Sequence, residues 1–174
     1  KEWHEALAAF NKAVQLKPSL IDAYINWGDT LANIGNFDAA LEIFQNGLRR
    51  SPNHPGLLSN KGNVLLRQHR IIEALSLLEK AGEAMPDNAI IARNLANAHR
   101  LSGNPVEALN ILDPLINRNP NDSDARCIRA LALFSIGHYQ KAWIDYSMRW
   151  HTSLHEAARP FKQRRWSGQN VEGK

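Results

Sequence analysis

Cysteine is almost absent from this chain of 174 residues. Cys127 stands alone, which excludes an internal disulfide framework and fits a reducing compartment. Long apolar runs are missing as well. None approaches the roughly 18 residues that a membrane-spanning helix needs, so no membrane partner is expected and a cytoplasmic location is. The opening Lys1-Glu2-Trp3-His4 has no initiator Met and no apolar signal core. Low-complexity stretches are lacking, and an apolar content of 44% argues against global disorder.

A surplus of one charge sign is also lacking over most of the chain. The formal net charge is +4, but residues 1–148 carry 15 basic and 15 acidic side chains. The excess sits in residues 149–174, with 6 basic and 2 acidic groups. Phosphate binding usually draws on a basic face. A balanced body offers none, so no nucleic-acid partner is expected.

Catalytic signatures are missing too. There is no nucleophile motif, no glycine-rich phosphate loop and no CxxC. The seven His residues are scattered. His151 and His155 are four apart, but two ligands with no nearby carboxylate or Cys do not complete a zinc site. Asp22, Asp29 and Glu42 read as acids on helix faces rather than a catalytic pair. Tyr24, Trp27 and Phe37 fall at core positions. These residues therefore predict no enzyme, no metal and no cofactor.

What the chain has is a period of 34. Ala6, Ala40, Ala74, Ala108 and Ala142 recur at that spacing, and so do Pro18, Pro52, Pro86 and Pro120. A small residue recurs at Gly28, Gly62, Ala96 and Ala130, and a large one at Phe10, Phe44, Leu78, Leu112 and Tyr146. Helices approach closely only where side chains are small, and large residues fill the gaps beside them. Proline pushes its predecessor out of the α region and ends a helix. Gly35, Gly103 and Gly137 mark a turn inside each hairpin, where positive φ is cheap for glycine. His69 holds that slot in the third unit and predicts a costlier or differently shaped turn.

These signals predict helices near 3–17, 20–34, 37–50, 55–68, 71–84, 88–101, 105–117, 123–136 and 139–151. Asn104-Pro105 reads as an N-cap followed by the first helical residue. Asn53, Asp87 and Ser123 stand where other helices should begin. Pro114 predicts a kink or early end in the seventh helix.

The pattern over roughly 1–150 resembles the tetratricopeptide repeat family, through the four ladders together with Trp27-Gly28 and Leu95-Ala96. The resemblance implies an all-α, right-handed solenoid of about 4.5 helical hairpins. Its units would be 1–18 (a second helix only), 19–52, 53–86, 87–120 and 121–152, with 153–174 a tail or linker. Departures are Lys61 and His99 at apolar positions, and Leu115 and Arg149 where a second small residue is usual.

Both ends look unfinished. Trp3, Ala6, Leu7 and Phe10 form a second helix without its first, although stacked repeats need polar caps. That face suggests either a fragment of a longer array or a contact with another subunit, making a homo-oligomer a further expectation. Beyond Trp150 the period stops. Trp166-Ser167-Gly168 followed by Gly173-Lys174 resembles the segment leading into the transferase domain of some bacterial repeat-containing glycosyltransferases, with Arg165 where Pro is usual. The other reading is a basic tail whose Trp residues cover the last hairpin.

Binding in a curved solenoid falls to the inner helices, the first of each pair. Asn26, Asn60 and Asn94 repeat there, with Asp29, Asn63 and Asn97 three residues on. Asn is a poor helix former, so its repetition mid-helix calls for a reason. One reason is that each amide offers a donor and an acceptor to a partner's backbone. The other is a bridge between neighbouring hairpins. The ladder is similar to that in the repeats of O-linked N-acetylglucosamine transferases and stops at Ile128. Arg67, Arg93 and Arg100 share the face. They read either as solvated or as partners for an acidic side chain or terminal carboxylate. A full carboxylate clamp is not present, since Ile25 and Ser59 stand where it would have Lys or Arg. The expected function is a scaffold that binds a protein or peptide along this face. The alternatives are the substrate-recognition arm of a glycosyltransferase and a self-assembling scaffold.

Overall fold

A computed structural model describes residues 2–151 of the chain. The Trp166–Lys174 block and His155 lie outside the described residues, and so do the side chains of Trp150 and His151.

The described residues form α1 (Glu2–Leu16), α2 (Ile21–Asn33), α3 (Phe37–Arg50), α4 (Pro55–Arg67), α5 (Ile71–Ala84), α6 (Ala89–Leu101), α7 (Pro105–Arg118), α8 (Ser123–Ser135) and α9 (Tyr139–Tyr146). A 3₁₀ turn over Ser147–His151 follows, so the last predicted helix ends earlier than expected. The described residues are an all-α stack of antiparallel pairs, α2/α3, α4/α5, α6/α7 and α8/α9, with α1 packed on α2.

The small and large ladders interlock. A Cβ on Gly28 would collide with the Phe44 ring, and one on Gly62 would lie 2.8 Å from Leu78 Cγ. Ala96 and Leu112 are both fully buried in one apolar cluster. Each pair is a first helix seated on its own second helix, a ridge entering a groove made by a missing side chain. Phe44, Leu78 and Leu112 are all 0% exposed.

The turn inside each hairpin is the same four times. Asn36, Arg70, Asn104 and His138 each donate their backbone N–H to a carbonyl five residues back, at 2.9 Å. The residue before each has positive φ: Gly35 83°, His69 59°, Gly103 85° and Gly137 79°. This is the Schellman closure, which satisfies the orphan carbonyls of the first helix. His69 thus keeps the shape of the turn and carries its conformational cost.

Between hairpins, Pro52, Pro86 and Pro120 each lie two residues past a helix end. The residues before them, Ser51, Met85 and Asn119, have φ between −135° and −140°, the extended conformation that a following Pro imposes. Pro114 does not end its helix, which continues to Arg118. The missing N–H and the ring fall on an exposed side, where water can take the freed carbonyl. The N-caps of the first helices sit one residue away from the expected ones, at His54, Asn88 and Asp122. Asn104 is the N-cap of α7, with Pro105 next, but its amide donates to Ser102 Oγ rather than capping the helix.

Candidate peptide-binding face

Contact between like helices tells which side of the stack is inner. α2 touches α4, α4 touches α6 and α6 touches α8. Among the described residues, no second helix packs on the next second helix to that extent. The stack therefore closes on the side of the first helices, and their outward residues line its tighter face.

On that face the Asn ladder divides. Asn60 Nδ2 donates to both oxygens of Asp29, at 2.9 and 3.0 Å, joining α4 to α2. Asn94 Nδ2 donates to Ser59 Oγ at 3.1 Å, joining α6 to α4. Ser59 is 2% exposed, so this bond satisfies a buried hydroxyl. Both amides bridge neighbouring hairpins. Asn26 and Asn63 are exposed and take part in no such bridge. Removing the amide of Asn60 or Asn94 would strip Asp29 or Ser59 of its donor. Of the two reasons that the sequence offers for the ladder, the bridge between neighbouring hairpins describes these two amides.

The arginines divide in the same way. Arg93 Nη1 reaches Asp122 Oδ1 at 2.9 Å and Asp124 Oδ2 at 3.5 Å. Asp122 is itself buried and caps α8 by accepting from Ala125 N at 2.9 Å. Arg93 is therefore a strut between α6 and α8, neither a solvated side chain nor a free clamp. Arg67 Nη1 donates to the Ala32 carbonyl at 3.0 Å, with its guanidinium 4.5 Å from the centre of the Phe37 ring. Arg100 is different. Its Nε and Nη2 donate to Asn97 Oδ1 at 3.2 and 2.7 Å, and no carboxylate meets it among the described residues.

Two groups on the face bear the mark of burial without charge compensation. Desolvation raises the Asp29 carboxyl to about 6, and no cation pairs with it among the described residues. Desolvation lowers the Arg100 guanidinium from its usual value.

Sequence reasoning overlooked Asp122, Asp145 and the bridging role of Ser59. Asp122 was legible: Leu20, His54, Asn88 and Asp122 form a cap ladder at the same spacing of 34. Asp145 carries no such signal. It is 2% exposed and receives Arg126 Nε at 2.9 Å and Arg129 Nε at 2.6 Å, while Arg129 also reaches Asp113 at 2.9 Å. Among the described residues no group of His, Cys, Asp and Glu could hold a metal ion, and no helix is long and apolar enough to cross a membrane.

Comparison with known proteins agrees with this geometry. Tetratricopeptide repeat family models match residues 25–89 and 65–133. The chain is 26% identical over 96 residues to the small glutamine-rich tetratricopeptide repeat-containing protein 2 of Mycosarcoma maydis, covering 55% of this chain and 27% of that protein. It is 27% identical over 101 residues to the human protein O-mannosyl-transferase TMTC1, covering 56% of this chain and 12% of that protein. The chain thus spans under a third of either relative's length. Among solved structures, YrrB, described as a TPR protein with an unusual peptide-binding site, superposes with a TM-score of 0.67 at 23% identity, covering 84% of this chain and 75% of that one. With its period, its interlocked ladders and these matches, the chain belongs to the tetratricopeptide repeat family, whose fold is a scaffold for protein–protein interaction.

Proposed function

We propose that the inner face of α2, α4 and α6 holds an extended segment of a partner protein. The observation that carries this reading is the polar strip of Asn26, Asp29, Asn63, Asn97 and Arg100, in which Asn26 and Asn63 are exposed and serve no bridge between hairpins among the described residues. Asn60, Asn94, Arg67 and Arg93 set the spacing of that strip by tying hairpin to hairpin. Exposed amides meet a peptide backbone as donor and acceptor at once and so hold a chain largely regardless of its side chains. Each such bond adds only about 0.5–1.5 kcal/mol, so affinity accumulates along the strip.

The test is to select peptides on the purified chain from a random displayed library and measure them against Asn26→Ala and Asn63→Ala together. Neither amide bridges hairpins among the described residues, so thermal stability should not fall, and the better helix propensity of alanine should raise it slightly. Binding should weaken by about five- to tenfold, the loss of one to two modest hydrogen bonds. Selected peptides that bind the double variant as tightly as the parent would sink the reading.

The similarity to an O-mannosyl-transferase favours a second reading, in which the face presents polypeptide to a transferase domain of a longer parent protein. Coding sequence on both sides of these residues with no transferase domain would remove it.

A further inference from the structure

The charge of the first helices changes sign along the stack. α2 contains Asp22 and Asp29 and no basic residue. α4 contains Lys61 and Arg67, and α6 contains Arg93 and Arg100, with no acid in either. Most of these charges are already used. Lys61 Nζ donates to Gln45 Oε1 at 2.7 Å. Arg93 is neutralised by Asp122 and Asp124, and Arg67 is committed to the Ala32 carbonyl and the Phe37 ring.

Arg67 also meets no carboxylate, but it is the more exposed residue, and Asp29 and Arg100 are the half-buried charges on the face with no opposite charge among the described residues. One amide nitrogen occupies Asp29, yet a carboxylate has about four lone-pair sites. Arg100 presents Nε and Nη2 to one carbonyl oxygen and leaves Nη1 without a protein acceptor among the described residues. Desolvation disfavours the charged form of both, as expected of groups held ready for a counter-charge.

We infer that the partner segment is itself bipolar, with a basic side chain seated on Asp29 and an acidic one on Arg100. The spacing follows from the stack. Packed helices lie about 8–10 Å apart, so the two steps from α2 to α6 span about 20 Å. An extended chain advances about 3.3 Å per residue, which puts the two charges about six residues apart. Carboxylate pairing with a guanidinium is directional and charge-assisted, and an ammonium on Asp29 needs only proximity. The order of charges is set relative to the stack, because reversing the peptide backbone would carry each charge to the wrong helix unless the sequence were reversed too.

This inference rests on the inner face being a polypeptide-binding strip, and the two fail separately. The probes are acetylated, amidated peptides of Gly, Ser and Thr, titrated into the isotope-labelled chain and followed by amide NMR shifts. One peptide carries a lysine and a glutamate about six positions apart. Three controls carry two lysines, two glutamates, or the lysine and glutamate about two apart. The first peptide should bind about tenfold tighter than any control. Asp29→Asn should erase its advantage over the two-glutamate control, and Arg100→Gln its advantage over the two-lysine control, with both variants retaining the parent's circular dichroism. Equal affinities for all four peptides, with shifts on α2, α4 and α6, overturn the inference and leave the binding strip standing. No shifts from any of the four, together with no peptide selected from the library, overturn both.

Discussion

Asp29 contributes no stability at neutral pH, because burial works against its charged form. Its carboxyl is raised from 3.8 to about 6 by desolvation, even though Asn60 donates to both oxygens. A raised acid contributes stability that is full below its unfolded-state value of 3.8 and is lost as pH rises through about 6. Asp29→Asn abolishes this dependence and keeps an acceptor for Asn60. The variant should therefore match the parent near pH 4 and exceed it near pH 7.5. The gap is on the order of 1 kcal/mol at most, because the group keeps partial contact with water. Urea melts at both pH values measure it, and a gap independent of pH would count against this account. His99 makes a related point. It stands where Leu31, Leu65 and Leu133 stand in the other hairpins, and its buried Nδ1 has no partner among the described residues.

Within single elements, glycine at different places does opposite work. Gly28 leaves room for the Phe44 ring, and alanine there overpacks the hairpin, costing about 1–3 kcal/mol. A methyl group on Gly82 in α5 would meet only Leu95 Cδ2, at 3.4 Å, so alanine there fits. It should gain about 0.5–1 kcal/mol from helix propensity. Paired urea melts of Gly28→Ala and Gly82→Ala should move in opposite directions, and a shared direction refutes the interlocking of small with large residues. The hairpin turn gives a third case. His69 adopts φ 59° in a slot that glycine fills in the other three hairpins. A left-handed non-glycine residue costs roughly 1–2 kcal/mol, and the looser unfolded chain of a glycine variant takes back part of that. His69→Gly should raise stability by about 0.5–1 kcal/mol, read from the same melts; a loss would mean that the histidine side chain contributes more than its backbone gives up.

For the whole molecule, charge is balanced in bulk and organised in detail. The body has equal numbers of acids and bases, and some of them meet across hairpins, Arg93 with Asp122 and Arg129 with Asp113, while Arg118 with Asp87 and Arg129 with Asp145 close single hairpins. Pairs that link successive units add interface energy in a stack whose stability is a sum of units and their contacts. They also consume the cations that a nucleic acid would need. Fluorescence anisotropy with a random duplex of about 20 base pairs in about 150 mM salt should show a Kd weaker than about 10⁻⁴ M. Tighter binding would mean that basic groups outside the balanced body carry an affinity of their own. The two ends of the described stack expose apolar surface, with Trp3 54% exposed at one and Trp143 59% and Ile144 65% exposed at the other.

The period of 34, the helices and the interlocking of small with large residues were legible in the sequence, because each depends on the kind of residue at a fixed spacing. The inner helices were legible for the same reason, and so was the strip of Asn26, Asn60 and Asn94. What each polar residue on that strip does was not. Asn60 and Asn94 repeat like Asn26, yet two of them bridge hairpins and one faces solvent. Arg93 and Arg100 lie seven residues apart on one helix, yet Asp122 neutralises the first and no carboxylate among the described residues meets the second. A side chain's partner depends on what the next hairpin places within about 3 Å, and that distance exists only once the units have stacked. Residue type and spacing determined the solenoid; the tertiary packing alone decided which of its charges found an opposite charge and which did not.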